Sequence, residues 1–255
     1  MISKSQITFI KSLQHKKHRV AERQFVIEGE KLIHEFIHSK FNIRTIYTTD
    51  NHYLYYEQLC SKVSKKIEIV CTKYDVIERM SSLVNASESL AIVDMPDDGV
   101  KIDYNEWIER DSLVLLLDEI RDPGNMGSII RIADWFGIHQ IVCSEQCVDL
   151  YNPKVVQSTM GSITRTQVEY RNLSDLIQEY KGIPVYGALL DGINIYDNAE
   201  QMKGFVLMGS ESHGISQDLR AMVSHPVMIP RYGEAESLNV SIATAVLCAE
   251  ARRRG

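Results

Sequence analysis

The chain has 255 residues, of which 44% are hydrophobic and 24% are charged, and its formal net charge is -6. This length suits a small domain joined to a medium one, and the absence of an apolar run near about 18 residues excludes a membrane-spanning protein. The negative charge argues against a protein that coats nucleic acid over its whole surface, but a local basic patch stays compatible with it.

The N-terminal segment has cations but no continuous apolar core followed by a cleavage site of small residues. We therefore predict no signal peptide and a cytoplasmic location. The five cysteines are widely spread and contain no CxxC pair, which favours neither a disulfide framework nor a zinc site. We expect reduced, mostly buried thiols and no bound metal.

Residues 1–95 are predicted to form a small α/β domain. The stretch "FVIEGEKLIHEFIHS" begins like a strand and continues with Leu32, Ile33, Phe36 and Ile37 at helical spacing. The runs "IRTIYTT" and "KIEIVCT" that follow are rich in β-forming residues.

The start of this domain is strongly basic. Its cations include Lys11, Lys16, Lys17 and Arg19, and the chain closes on "ARRRG". Composition alone leaves two interpretations open, a solvated helix face or a surface that binds phosphates.

Residues 96–111 are predicted to be a linker, because "PDDGVKIDYNEWIERD" places Pro, Gly and acidic residues between two more apolar regions. After it, "SLVLLLDEI" is nearly all apolar, as expected of a strand buried on both faces of a parallel sheet. Candidate helices and strands then alternate to the end of the chain. We predict an α/β domain over residues 112–255 with a mainly parallel sheet.

Ligands of open α/β sheets bind beyond the carboxyl ends of strands, so the strand-to-loop junctions are candidate sites. At the first, "DPGNMGSIIRIADWFG", the Pro and Gly residues allow a tight turn before a helix, and Arg131 lies near that helix's start. A cation there opposes the helix dipole, which favours a bound anion such as phosphate. The alternative is that Asn125 caps the helix and Arg131 is an ordinary surface residue.

Two further junctions have similar features. In "GFVLMGSESHGISQDL" an apolar strand enters a loop with Gly209 and Glu211, where glycine could admit a flat ligand or merely allow a tight turn. In "MIPRYGEAESLNVSIATAV", Ser237 and Asn239 open a helix of small residues, a pattern that also fits simple capping. That helix is apolar around its circumference, which predicts that another chain or a domain core covers it.

Together, and in this order, the three motifs resemble those of the SpoU (TrmH-like) RNA ribose methyltransferases of the SPOUT superfamily. The stretches "IKSLQHKKHR" and "FVIEGEKLIHE" resemble the N-terminal substrate-binding domain of that family. The resemblance implies a C-terminal domain with a trefoil knot, S-adenosylmethionine bound in the knot, a homodimer, and an RNA substrate gripped in part by the N-terminal cations.

The resemblance also implies roles for individual residues. The positions that match cofactor contacts are Gly209, Ile229 and Leu238. The positions that match the polar active site are Asn125, Arg131, Glu211, Ser237 and Asn239. The positions assigned to substrate RNA are Lys11, Lys16, Lys17 and Arg19.

The implied reaction is methyl transfer to a ribose 2'-hydroxyl, with ribosomal RNA favoured as substrate. Because a guanidinium stays protonated in proteins, Arg131 is a poor base, and we predict that it holds a phosphate while that phosphate or water takes the proton. Glu211 is a candidate to fix Arg131. The alternatives are a transfer-RNA 2'-O-methyltransferase, an RNA-binding protein without catalysis, and an α/β enzyme that acts on a small molecule.

Overall fold

A computed structural model describes residues 2–63, 65–96, 103–111, 113–197 and 201–253, apart from the side chains of residues 110 and 111. The chain divides into two compact units. Unit 1 comprises Met1–Gly99 and Asp149–Thr164, and unit 2 comprises Val100–Val148 and Arg165–Gly255.

Helices and strands alternate through most of the described residues. The helices in chain order are α1 (Lys4–Ser12), α2 (Lys16–Glu22), α3 (Glu30–Ile37), α4 (Asp50–Lys62), α5 (Tyr74–Met80), α6 (Tyr104–Asp111), α7 (Pro123–Trp135), α8 (Pro153–Ser158), α9 (Leu173–Glu179), α10 (Gln217–Arg220) and α11 (Val240–Arg253). The strands are β1 (Gln24–Glu28), β2 (Ile43–Thr48), β3 (Glu68–Cys71), β4 (Ser89–Asp94), β5 (Leu113–Leu117), β6 (Gln140–Cys143), β7 (Gln167–Tyr170), β8 (Val185–Asn194), β9 (Gly204–Met208) and β10 (His225–Met228).

Unit 1 is built on a four-stranded sheet of order β1-β4-β2-β3. The pairs of β4 with β1 and β2 are antiparallel, and β2 pairs with β3 in parallel. The four apolar residues predicted to share a face of α3, Leu32, Ile33, Phe36 and Ile37, are all buried. The predicted small α/β character of this part of the chain is confirmed.

The segment Asp149–Thr164 follows β6 of unit 2 in the chain but belongs to unit 1. The ring of Tyr151 lies on that of Phe25 in β1, with 4.6 Å between the ring centroids. Asp149 forms an ion pair with Arg19 of α2. A ring contact and an ion pair therefore hold this segment within unit 1.

Unit 2 has a six-stranded sheet of order β10-β8-β9-β5-β6-β7, and every pair in it is parallel. All five residues of the central strand β5 are buried, as its continuous apolar sequence predicts. The chain continues from β5 to β6 on one side, and β9 flanks β5 on the other. The carboxyl ends of β5 and β9 thus form the kind of crevice in which α/β sheets bind ligands.

Part of the predicted linker is a helix. Residues 97–102 of that linker lie outside the described residues, whereas Tyr104–Asp111 forms α6. Tyr104 and Ile108, one turn apart, are buried in the core of unit 2, where Tyr104 meets the rings of Tyr180 and Phe205. The spacing of these apolar side chains explains the helix.

All five cysteines are free thiols, and four of them are buried, whereas Cys71 is exposed. Burial raises the pKa of Cys248 to about 12, so its thiol stays protonated near neutral pH. Among the described helices, none is both long and apolar enough to span a membrane.

Candidate active site

The first strand-to-loop junction leads into α7, and its local sequence explains the turn. The Asp122 side chain accepts a hydrogen bond from the backbone N–H of Asn125 at 2.8 Å, and Pro123 occupies the first helical position. Gly137, with φ at +64°, follows the helix end, where a left-handed backbone favours glycine. This arrangement fixes Asn125 in the first turn of α7.

The third junction leads into α11, which begins at Val240 rather than at the expected Ser237. The side-chain oxygen of Asn239 accepts hydrogen bonds from the backbone N–H of Ser241 at 2.9 Å and from its hydroxyl at 2.6 Å. Asn239 therefore stays outside the helix and caps it. Its amide nitrogen remains available for other partners.

The second junction, after β9, is a tight loop that has no room for a side chain at Gly209. A Cβ atom there would lie 2.1 Å from the carbonyl carbon of Gly214 and 2.2 Å from the nitrogen of Ile215. Two backbone hydrogen bonds between Ser210 and Gly214, of 3.0 and 2.9 Å, close the loop. Glycine is required here by close approach of the backbone to itself.

The three junctions meet in a closed set of side-chain hydrogen bonds. The amide nitrogens of Asn125 and Asn239 donate to Oε1 of Glu211 at 2.7 and 2.6 Å, and the Asn239 amide also donates to Oδ1 of Asn125 at 3.0 Å. Glu211 thus lies beside the N-terminal turns of α7 and α11, where helix dipoles favour a negative charge. We call Asn125, Glu211 and Asn239 the amide–carboxylate network.

A cavity of about 830 Å³ opens beside this network within unit 2. It is lined by the predicted cofactor residues Gly209, Ile229 and Leu238, together with Glu211 and Ser237. Its volume falls within the range of small-molecule and cofactor sites, which is roughly 300–1,000 Å³.

The middle of β8, residues 188–191, also lines the cavity, and the sequence analysis did not predict this. Leu190, which is largely exposed, belongs to this wall. The run "PVYGALL" predicts a strand. Nothing in it distinguishes a strand that lines a cavity from one that is only part of the sheet.

Arg131 is placed apart from the amide–carboxylate network. It lies six residues after Asn125 on α7, about 9 Å along the helix axis, and its side chain is exposed. Across the described part of the chain its side chain has no hydrogen-bond or ion-pair partner, whereas Glu211 bonds two amides. The expected contact between Glu211 and Arg131 is absent from the described residues, where Oε1 of Glu211 instead accepts the amides of the two asparagines.

Comparison with protein families identifies the motifs that meet here. The model of the SpoU rRNA methylase family matches residues 112–249, which is more than half of the chain and contains all three junctions. The chain belongs to the SpoU rRNA methylase family. A second model, the MRM3-like substrate binding domain, matches residues 4–91.

Relatives of this SpoU-family chain match it over nearly its whole length. The chain is 31% identical over 240 residues to the 23S rRNA (guanosine(2553)-2'-O)-methyltransferase RlmP of Bacillus subtilis, covering 93% of this chain and 92% of the relative. The solved structure of a Porphyromonas gingivalis protein assigned to the TrmH family of RNA methyltransferases superposes with a TM-score of 0.85 at 35% identity and covers all of both chains. An AdoMet-bound rRNA methyltransferase from Sinorhizobium meliloti has a TM-score of 0.84 at 28% identity, covering 99% of this chain and 97% of its own.

The predicted RNA-binding cations divide into two groups. Lys11, Lys16 and Lys17 are exposed, whereas Arg19 is 2% exposed. The Arg19 guanidinium pairs with Asp149 and donates to the backbone carbonyls of Leu13 and Gln14. The assignment of Arg19 to RNA is wrong, because its guanidinium is buried and already bound to partners inside unit 1.

Within the ranges that the structure describes, no group of three or more His, Cys, Asp or Glu side chains is arranged to hold a metal ion.

Proposed function

We propose that this SpoU-family chain transfers a methyl group from S-adenosylmethionine to a ribose 2'-hydroxyl of ribosomal RNA in the cytoplasm. The observation that supports it most directly is the amide–carboxylate network beside the cavity, since it joins all three family motifs at one point. The names of its relatives agree: RlmP of Bacillus subtilis is named as a 23S rRNA 2'-O-methyltransferase.

The cavity fits S-adenosylmethionine. Its lining includes Gly209, which has no side chain, and the apolar side chains of Ile229 and Leu238. The S. meliloti relative is an AdoMet-bound structure. The trefoil knot implied by the family resemblance belongs to the same proposal.

The reaction makes one demand on the residues of this chain beyond binding. When bound, S-adenosylmethionine supplies a methyl group on a positively charged sulfur; the new carbon–oxygen bond forms as the carbon–sulfur bond breaks, and the 2'-hydroxyl loses its proton. Arg131 cannot accept that proton, because a guanidinium stays protonated in proteins. We assign to Arg131 the binding of the neighbouring phosphate, and the proton passes to that phosphate or to water.

The remaining polar residues position the site. The side-chain amides of Asn125 and Asn239 donate hydrogen bonds to Glu211. We therefore assign to both residues the stabilisation of the three loops and not the proton transfer. Ser237 lines the cavity and is exposed, which leaves its hydroxyl free to meet substrate or cofactor. Positioning of two reactants can supply much of the barrier lowering that an enzyme needs.

A radiolabelled transfer assay tests this function. Purified protein and methyl-labelled S-adenosylmethionine are incubated with unmodified large-subunit ribosomal RNA or unmodified transfer RNA, without added metal. We expect label in ribosomal RNA, released after digestion as a 2'-O-methylated nucleoside. Label on a base would contradict the assignment, and label in transfer RNA alone would favour the alternative substrate.

A protein that binds RNA without catalysis is the second candidate. It predicts S-adenosylmethionine binding or RNA binding with no transfer to any RNA offered. The amide–carboxylate network argues against it, because all three of its side chains are present and joined.

Replacing Lys11, Lys16 and Lys17 together with alanine is expected to weaken RNA binding and make it less dependent on salt. Each lysine that neutralises a phosphate contributes roughly 0.7 to 0.9 to the slope of log affinity against log salt, so the loss of three should make the slope shallower by about 2 to 3. Filter binding across a salt series measures it. The matched control changes Lys62, Lys66 and Lys73, also exposed in unit 1; equal losses in both triple variants would argue against a defined RNA surface.

A homodimer is expected, because large apolar side chains of unit 2 are left in water. Trp135 is 83% exposed and Ile242 of α11 is 54% exposed. Sedimentation should give twice the 29.1 kDa chain mass at micromolar concentration, and Ile242→Asp should give monomers. Leu54→Asp in unit 1, at a site 64% exposed, serves as control. A wild-type monomer would refute the dimer.

A further inference from the structure

Asp118 is a buried carboxylate for which the mechanism above has no use. It follows β5 directly and is only 4% exposed. Burial of a charged group is costly unless polar partners compensate it. Its contacts therefore indicate what it does.

Asp118 makes two hydrogen bonds to the loop that follows β9, one at each end of that loop. The backbone N–H of Asp118 donates to the carbonyl of Met208 at 2.8 Å, directly before Gly209. Its side-chain Oδ2 accepts the backbone N–H of Ser216 at 2.8 Å, directly after Ile215. A single residue thus joins the two stems of the loop Gly209–Ile215 to the end of the central strand.

Within those stems the loop has little freedom of its own. The two backbone bonds between Ser210 and Gly214 close it, and Ile215 is buried in the core of unit 2. Glu211 lies inside this closed loop. A displacement of the stems therefore displaces Glu211 and the loop's side of the cavity together.

We propose that Asp118 is a positioning residue of the active site: its carboxylate holds the C-terminal stem of the loop Gly209–Ile215 at the distance that lets Glu211 meet Asn125 and Asn239. Asp118 does not line the cavity, so it acts through the loop and not on substrate or cofactor. The cofactor-based part of this inference rests on the proposed function.

The distinguishing feature of this role is that it needs a hydrogen-bond acceptor and not a charge. Asp118→Asn keeps an oxygen at the same reach, whereas Asp118→Ala leaves the Ser216 N–H without a partner. A purely electrostatic role for the carboxylate would make both variants equally defective, and a purely structural one would lower stability without changing the site of the folded protein.

The experiment compares wild type, Asp118→Ala and Asp118→Asn as full chains, each shown to be folded by circular dichroism. Calorimetry with S-adenosylmethionine should show affinity weakened about tenfold or more in Asp118→Ala and restored to within about threefold in Asp118→Asn. In the methyl-transfer assay, kcat should fall and KM for S-adenosylmethionine should rise in the alanine variant. Hydrogen exchange of the peptide that contains Ser216 should accelerate in the alanine variant alone.

Glu28→Ala is the matched control, since Glu28 is also a 4% exposed carboxylate that accepts a backbone N–H, that of Ser82 at 2.8 Å, but in unit 1. It should lose stability while its S-adenosylmethionine affinity stays within about twofold of wild type. Unchanged affinity and exchange in Asp118→Ala, or equal defects in the alanine and asparagine variants, would overturn the proposal. If wild type itself binds no S-adenosylmethionine, the proposed function fails, and the exchange of Ser216 still decides whether Asp118 holds the loop.

Discussion

Replacing Arg131 with alanine is expected to lower methyl-transfer turnover by about a hundredfold or more while calorimetric affinity for S-adenosylmethionine stays within about twofold of wild type. The physical reason is that its guanidinium is exposed, has no partner in the described ranges, and does not line the cofactor cavity. Loss of one positioned charge next to a reacting group typically costs this much in rate.

Two further variants make this result specific. Arg131→Lys keeps the charge but loses the two-pronged guanidinium contact with phosphate, so it should recover only part of the lost turnover. Lys181→Ala removes an exposed cation of unit 2 that lies outside the site, and its turnover should match wild type. Full activity of Arg131→Ala would remove Arg131 from the mechanism, and a parallel loss of cofactor affinity would show that it acts through the cavity.

Replacing Gly209 with alanine is expected to weaken cofactor binding strongly. The added methyl group would lie 2.1 to 2.3 Å from backbone atoms of Gly214 and Ile215, which cannot yield as a side chain would. Because overpacking by one carbon typically costs about 1 to 3 kcal/mol, we expect calorimetric affinity for S-adenosylmethionine to fall about tenfold or more.

Gly182→Ala is the control for this variant, since a Cβ at Gly182 meets nothing within 4 Å. Its melting temperature and cofactor affinity should stay close to those of wild type. The proposal for the cavity would be contradicted if Gly209→Ala folded normally and bound S-adenosylmethionine as tightly as the control.

The sequence predicted the elements of unit 2 that carry strong patterns and missed those that do not. The run of β5 is apolar throughout and buried throughout. By contrast, β7 is a four-residue strand at the sheet edge, and the alternation of polar Gln167 and Glu169 with Val168 and Tyr170 is too short to distinguish it from a loop. The helix α6 was obscured by the Pro, Gly and acidic residues that precede it.

The site shows the same division. The residue types and their place after buried strands could be predicted, but the bond between Asn125 and Glu211 joins residues 86 apart and depends on the folded sheet. Arg19 gives the clearest failure. It is next to exposed lysines in the sequence, but its ion-pair partner Asp149 is 130 residues away. No local pattern therefore distinguishes the buried Arg19 from those lysines.

The membership of Asp149–Thr164 in unit 1 affects how the protein can be made and divided. A ribosome that has completed β4 has produced all four strands of unit 1, but Phe25 still lacks the ring of Tyr151, and Arg19 still lacks Asp149. The first-synthesised unit can therefore finish folding only after β5 and β6 of the second have emerged. A fragment that ends near residue 96 would retain an unpaired interior charge, and the severed remainder would carry a segment whose docking surface is gone.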